Sequence, residues 1–463
     1  MRAEEIRAII EENERLREEV SALEQANAAL QERLEEALAR IAELECGKRK
    51  PPSFVKANRG EKEKRPRRKR AAKHNTSRKR MEPTRYERHA LERCPGCGYR
   101  LRGESIDYTR EVIEIPEPQP VEVVEHQVIK RWCPRCGRWH SPRLDLRGEV
   151  IGQGRIGVRV ASLVSYLRTT MGLPVRKVQS YLETLHGLRL SAGEVVALGH
   201  AVGEQLRPQV AAVKGVVRRS AVVHGDETGW REDGRNGYVW AFVTDGAEAV
   251  RYFEFAFSRS HLVAKQILGV PFRGCLVTDF YAAYNLLPGL HQRCWVHLLR
   301  DLHQLKEEHA GEEAVQGWAK GVRALYDEAQ EWLEAHVEPS QEERRRQYES
   351  LYRRSCELGE QYAQVKDHPC RTLAKRLLRH QDELFQFVLV PGMPADNNLA
   401  ERSLRPLVVL RKISGGTRSG RGTQTRMRLA TMFHTWAARN LNPFLECLSA
   451  LQHPAAAPAP VPP

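Results

Sequence analysis

Residues 6–45 place apolar side chains at a seven-residue repeat, and a repeat sustained that long leaves little choice of structure. With Ile6 as position a, the a sites are Ile6, Asn13, Val20, Asn27, Leu34 and Ile41, and the d sites are Ile9, Leu16, Leu23, Leu30, Ala37 and Leu44. A period of 3.5 keeps one apolar seam turned toward a partner helix, which predicts a coiled coil. Asparagine at two a positions pairs with itself across a parallel two-stranded interface, so a homodimer is expected. Flanking pairs are mixed: Glu12 with Arg17 and Arg40 with Glu45 attract, whereas Glu19 with Glu24 repels. The competing reading is a single amphipathic helix lying on its own domain.

Charge changes sign directly after this repeat. Residues 1–45 carry 13 acids and 6 Lys/Arg, whereas residues 48–80 carry 16 Lys/Arg and 2 acids. The second block, including Arg67, Arg68, Lys69 and Arg70, has too few apolar residues to bury a core and is expected to be disordered until bound. Its partner would be a polyanion, and nucleic acid is the commonest one. Pro51, Pro52 and Pro66 interrupt any long helix, so phosphate contact is expected rather than major-groove reading. A solvated linker without a partner is the alternative. With 463 residues, two to four domains are expected, and no run approaches the roughly 18 apolar residues of a membrane span. Met1-Arg-Ala-Glu-Glu lacks the apolar core of a secretory signal, which points to the cytoplasm.

Four of the ten cysteines form two C-P-x-C pairs, Cys94/Cys97 and Cys133/Cys136, each followed by glycine. In a reducing compartment such pairs bind metal rather than form disulfides. Four thiolates suit one tetrahedral Zn²⁺ in a closed, structural site. Alternation in Ile106–Ile115 and Val121–Ile129, around three prolines, predicts two strands and a turn between the pairs.

Residues 155–213 read as helices. Leu173–Leu182, Gly187 and Leu190–Val196 resemble a helix–turn–helix, with Ser191 and Glu194 spaced as a capping box. DNA contact and plain core packing both remain open for it. The period then switches to two. Ala221–His224, Tyr238–Thr244, Val250–Phe257 and Cys275–Thr278 read as strands, with a helix near Ser260–Leu268 before the fourth. Three strands, a helix and another strand is the order of a ribonuclease H-like sheet. Residues 291–392 and 396–450 read as helical, and Pro454–Pro463 as a disordered tail.

Asp226 would end the first strand and Asp279 the fourth, which puts both carboxylates on one sheet edge if those strands are neighbours. Two negative charges there call for a cation between them. With Asp396 as an N-cap, Asn397, Glu401 and Arg405 would share one helix face. Three such acids can hold two Mg²⁺ (or Mn²⁺) for phosphoryl transfer. Taken singly, each acid is equally consistent with a turn residue or a surface ion pair. Residues 402–428 hold eight Lys/Arg and no acid, and Gly415, Gly416, Gly420 and Gly422 would let backbone amides approach phosphates. A solvated basic loop is the bland alternative. Trp230, Tyr281, Tyr284 and Trp295 flank the acids, where core packing competes with base stacking.

Asp226-Glu-Thr-Gly-Trp, Asp279-Phe-Tyr-Ala-Ala-Tyr, Cys294-Trp-Val-His297 and Asn397-Asn-Leu-Ala-Glu401-Arg-Ser-Leu-Arg-Pro resemble the DDE transposases of the insertion-sequence sixty-six family, over roughly residues 90 to 450. The resemblance implies that Asp226, Asp279 and Glu401 are a catalytic, Mg²⁺-binding triad. Cys294, His297, Asn397 and Arg405 would be accessory to it, with His297 positioning the scissile phosphate or a flipped base. Arg411, Lys412, Arg418 and Arg421 would contact DNA. Where the family commonly carries an aromatic-containing stretch after Arg-Lys, this chain has Ile413-Ser-Gly-Gly-Thr.

The expected architecture is multidomain α+β. A coiled coil (1–46) and basic linker (47–90) precede a four-cysteine zinc ribbon (91–145) and a helical, helix–turn–helix-like domain (150–215). A ribonuclease H-like α/β core follows (219–300), with a large helical insertion (301–392), C-terminal core helices bearing the third acid (393–450) and a tail (451–463). The expected function is cutting element ends and joining their 3′-hydroxyls to target DNA in the cytoplasm, at the nucleoid. Element-encoded accessory proteins are possible partners besides DNA and a second copy. A non-catalytic zinc-ribbon regulator and a structure-specific nuclease are the alternatives.

Overall fold

The computed structural model describes residues 82–454 and selected positions between Glu12 and Glu36. Those early positions are helical, and Leu16, Val20, Leu23, Leu30 and Leu34 are 46–64% exposed. Ile6, Ile9, Asn13, Ala37, Ile41 and Leu44, the basic block with Arg67, Arg68, Lys69 and Arg70, and the tail from 455 lie outside the described residues. The chain divides into two compact units, Met1–Glu114 and Ile115–Pro463.

In the first unit the described chain turns sharply at Cys94–Gly98. Gly98 N donates to the Cys94 carbonyl at 2.8 Å, and Arg93 bridges Arg100. Gly98 has φ +74°, a conformation that favours glycine.

The second unit repeats that turn in a hairpin of β1 (Arg131–Cys133) and β2 (Arg138–His140). Gly137 has φ +61° and donates to the Cys133 carbonyl at 2.9 Å. The two strands expected between the cysteine pairs do not form. Ile106, Val112 and Val123 stand 81–86% exposed on irregular backbone. Alternation yields a strand only when a neighbour satisfies its backbone and a partner covers its apolar face.

Four helices follow: α1 (Val158–Thr169), α2 (Val175–His186), α3 (Ala192–Gln205) and α4 (Arg207–Arg219). Val164, Leu167, Val178, Leu182, Leu190 and Val195 form their own core. Helix α2 stops at Gly187 (φ +65°), and α3 begins with the capping box of Ser191 and Glu194 at the expected spacing.

The central sheet has five strands, in the order Arg251–Ala256, Arg235–Val243, Val222–Glu232, Cys275–Thr278 and Leu290–Arg293. Strands β3 (Val222–Glu232), β4 (Arg235–Val243) and β5 (Arg251–Ala256) run antiparallel. After α5 (His261–Leu268), strands β6 (Cys275–Thr278) and β7 (Leu290–Arg293) run parallel to β3. Strand β7 lies where continuous helix was expected; it is four residues long and polar, too short to show a period. Strand β3 also outruns its expected end at His224, because β4 pairs with it as far as Glu232.

Both sheet faces are covered, as the pleat requires. On β4, Trp240 and Phe242 enter a core with α1, α3, α4 and α5, while Val239, Ala241 and Val243 enter another beneath α11 (Asn398–Ser414). Between β7 and α11 the chain forms α6 (Trp295–Glu308), α7 (Glu313–Ala335), α8 (Gln341–Ala363), α9 (Arg371–Arg379) and α10 (Gln386–Leu389). These helices enclose Trp295, Trp318, Phe385 and Phe387 against Cys275 and Val277 of β6. The described chain ends with α12 (Gly420–Ala438) and α13 (Pro443–Gln452). No described helix is long and apolar enough to cross a membrane.

Candidate active site

Asp226 lies in the middle of β3, opposite Ala241 of β4, rather than at a strand end. Its pairing with β6 stops at His224, however, so its carboxyl emerges where the parallel ladder ends. Asp279 follows the last residue of β6, and its Oδ1 accepts from the Tyr281 backbone N–H at 2.9 Å. Glu401 sits in the first turn of α11. Burial, the Glu227 charge, and the charges of Asp279 and Glu401 push the Asp226 carboxyl up to about 8, against a 2.8 Å hydrogen bond from the Glu227 backbone. Three carboxylates more than 50 residues apart in sequence therefore share one electrostatic environment.

Asn397 ties these elements together. It, rather than Asp396, is the N-cap of α11; Asp396 Oδ1 instead accepts from Asn398 N at 2.9 Å. Asn397 is fully buried. Its Nδ2 donates to the Gly225 carbonyl at 2.8 Å, and its backbone N–H donates to Cys294 Sγ at 3.2 Å. With Nδ2 so committed, Oδ1 accepts from His224 Nδ1 at 3.2 Å, which fixes the tautomer of that imidazole. Burial pushes His224 down to about 4, so it is neutral. Burial likewise raises the Cys294 thiol.

His297, in the first turn of α6, has Nε2 3.7 Å from Glu401 Oε1. That is too long for a hydrogen bond, and His297 Nδ1 and Glu401 Oε1 are both buried without a hydrogen-bond partner. Arg405, one turn beyond Glu401, is exposed.

The remaining expected DNA contacts separate. Lys412, Arg418 and Arg421 are exposed, whereas Arg411 donates to the Gly229 carbonyl and to Thr228 Oγ1, bracing β3. Glycines 415 and 416 have local conformational roles at the end of α11. Gly415 ends α11 at φ +69°, and a Cβ on Gly416 (φ +112°) would collide with the Arg231 carbonyl. Thr417 then bonds the end of β3 through its N–H and carbonyl. Trp230, Tyr284 and Trp295 are core residues.

Sequence reasoning missed four contributors: Glu227, Arg259, Arg293 and His224. Glu227 is buried beside Asp226 and accepts from Arg259 and Tyr284. Arg293 of β7 is fully buried; it donates to the Asp279 carbonyl at 2.9 Å, Thr278 Oγ1 at 3.1 Å and Glu383 at 2.5 Å. Adjacency to Asp226 was the available signal for Glu227; Arg259 and Arg293 carry none in a chain with 74 Lys/Arg.

One further convergence involves metal donors. The thiols of Cys133 and Cys136 and a ring nitrogen of His140 lie within 4.8 Å of one another. Cys136 N donates to Cys133 Sγ at 3.4 Å, and backbone hydrogen bonds lower the Cys133 thiol. Cys94, in the other unit, is lowered in the same way by the Gly96 and Cys97 amides.

A family model described as "Transposase IS66 family" matches residues 153–425, which is more than half of the chain. The chain belongs to the IS66 transposase family. A second model, the "zinc-finger binding domain of transposase IS66", matches residues 92–137 and spans all four paired cysteines. No curated protein matches the chain. The first match contains every residue of this transposase's acidic site, and the second supports a structural zinc.

Proposed function

We propose that this IS66 transposase cuts DNA at the ends of its element and joins the freed 3′-hydroxyls to target DNA. The convergence of Asp226, Asp279 and Glu401, carried by two strands and a helix of one folded unit, supports this reading most directly. The strand order, with three antiparallel strands followed by two parallel ones, supports a ribonuclease H-like core. On that reading α6–α10 are an insertion between the second and third acids.

The donor set fits divalent cations. It is all oxygen, it holds more negative charge than a buried site tolerates, and one Glu401 oxygen is orphaned. Asp226, Asp279 and Glu401 would hold two Mg²⁺, which when bound activate the attacking oxygen and stabilise the leaving one. The chain's own residues do the rest. Asn397 and Arg293 hold the acid-bearing backbones in register, and neutral His224 adds no charge to the cluster. In the first step a water oxygen bonds to phosphorus as the bond to the 3′-oxygen breaks. In the second, that 3′-hydroxyl displaces the 3′-oxygen of a target phosphodiester.

Exposed Lys412, Arg418 and Arg421 are proposed to contact DNA backbone, with Arg67, Arg68, Lys69 and Arg70 of the basic block adding phosphate contacts. The zinc module and the α2–α3 helix pair are offered as further DNA-binding parts. The exposed leucine seam supports a homodimeric coiled coil. Cys94, Cys97, Cys133 and Cys136 are proposed zinc ligands, with His140 as a competing donor.

The test is strand transfer of a labelled element-end duplex into a plasmid with Mg²⁺, comparing the wild type with Glu401→Gln. Joined product that disappears in the variant while DNA binding persists supports the reading. Cleavage without joining points to a nuclease, and binding with neither reaction points to a regulator.

A further inference from the structure

Two arginines lie beside the acids, and the structure treats them differently. Arg293 is 0% exposed, with its guanidinium divided among Glu383, Thr278, Asn285 and the Asp279 carbonyl. Four of its five N–H groups are committed to the protein, so it is a buried structural brace.

Arg259 enters from the segment between β5 and α5, and its side chain remains 42% exposed. Its Nε and Nη2 donate to Glu227 Oε1 at 2.9 and 2.6 Å. The Glu227 side chain is only 2% exposed, and its other oxygen accepts from the Tyr284 hydroxyl. The guanidinium lies over the Tyr281 ring, 3.8 Å from its centroid. Tyr281 closes the circuit: its hydroxyl donates to the Arg259 carbonyl at 2.9 Å, and its backbone N–H donates to Asp279 Oδ1 at 2.9 Å. The guanidinium is thus anchored to the residue after Asp226 and to the residue two beyond Asp279. Among the described residues, its Nη1 has no partner.

This is more fixation than a surface ion pair needs, since exposed pairs contribute little. Its physical consequence is preorganisation: a cation held by a carboxylate and an aromatic face has little rotamer freedom left to lose when it binds an anion. A guanidinium presents its N–H groups in a plane that matches two phosphate oxygens. A cluster of carboxylates otherwise repels the phosphodiester it must act on, so a fixed positive charge at its rim answers a specific electrostatic need.

We infer that Arg259 contacts a non-bridging oxygen of the scissile DNA phosphate, and that Glu227 is the positioning residue that holds it there. The inference rests on the transposase reading of the acidic site and names a phosphate contact that this reading lacks.

The experiment is equilibrium binding of labelled element-end duplexes carrying either the natural phosphate or a neutral methylphosphonate at the scissile position. Wild type, Arg259→Ala, Arg259→Lys and Glu227→Gln are compared, with a methylphosphonate two nucleotides away as control. A charge-assisted contact predicts that methylphosphonate weakens wild-type binding about tenfold. Arg259→Ala should weaken binding of the natural duplex by the same factor and then be indifferent to the methylphosphonate. Glu227→Gln should keep part of that sensitivity. Equal methylphosphonate losses in wild type and Arg259→Ala would overturn the inference, as would a loss confined to the control position. Should Arg259→Ala fail to fold by its thermal unfolding profile, Arg259→Gln removes the charge while keeping bulk and carries the same comparison, and Arg259→Lys should keep part of the sensitivity. Wild-type cleavage with Mg²⁺ is measured in parallel: its failure counts against the transposase reading, whereas intact cleavage with an unchanged binding cycle counts against Arg259 alone.

Discussion

The Asn397 side-chain amide donates to the Gly225 carbonyl at 2.8 Å, one residue before Asp226 and four before Glu401 in their respective elements. One buried asparagine therefore sets the third acid against the first, and its oxygen selects the tautomer of His224. Asn397→Ala leaves a buried carbonyl and an imidazole N–H unpaired. We expect a loss of about 2–4 kcal/mol in urea unfolding, with DNA cleavage falling further than DNA binding. Unchanged stability would remove Asn397 from this role.

Asp226 titrates near 8 in the ion-free protein, against about 3.9 in an unfolded chain. Between those values the native state binds a proton that the unfolded state has released. This group's contribution to stability is therefore present at low pH and is lost as pH rises through about 8. Holding Mg²⁺ requires that proton to leave. Apparent Mg²⁺ affinity should climb as pH rises from 6 to 8 and level off above it, with proton release detectable by calorimetry in two buffers of different ionisation enthalpy. A pH-independent affinity would contradict this assignment.

Glu383 behaves in the opposite sense. Burial disfavours its charge, yet hydrogen bonds from His380 and Arg293 hold its carboxyl at about 2. A depressed carboxyl contributes stability that is fully present above its unfolded pKa of about 4.3 and is lost as pH falls through 2. Arg293→Met strands that carboxylate and should cost about 3–5 kcal/mol by denaturant unfolding at pH 7. Acid denaturation of the variant should show less dependence on pH between 4 and 2 than the wild type does.

The metal donors make a separate prediction. Cys133→Ser should release zinc to a chromophoric chelator. If His140 is a ligand, His140→Ala should weaken zinc binding by more than the ~10-fold lost when even an outer partner is removed, while the thiolate bands of the cobalt-substituted protein keep their intensity. Unchanged affinity would leave the four cysteines as the full set.

Gly416→Ala forces a side chain into left-handed backbone against the Arg231 carbonyl. We expect a cost of about 1–3 kcal/mol in thermal unfolding. Gly98→Ala meets nothing within 4 Å and should show the conformational penalty alone.

Much of this molecule is legible in its sequence because the relevant signals are local. Period two found β4, β5 and β6 to within three residues, Ser191 and Glu194 announced their helix, and a glycine after each cysteine pair marked its turn. The acids stood out because each sits in a distinctive string. Patterning failed where an outcome depends on a distant partner. Strand β7 is short and polar, β3 continues past Asp226 because β4 runs beside it, and Ile106–Ile115 alternates without forming a strand.

The sequence by itself determined which residues carry charge, sulfur and turn geometry, since these are properties of single side chains and near neighbours. Only the tertiary structure decided what each charge does. Arg259, Arg293 and Arg411 are alike in sequence, yet Arg259 is held by Glu227 while staying part-exposed beside the acids, Arg293 is fully buried, and Arg411 braces the backbone of β3. The reason is physical: a charge's role follows from its solvation and its partners, and folding brings those from positions tens to hundreds of residues away.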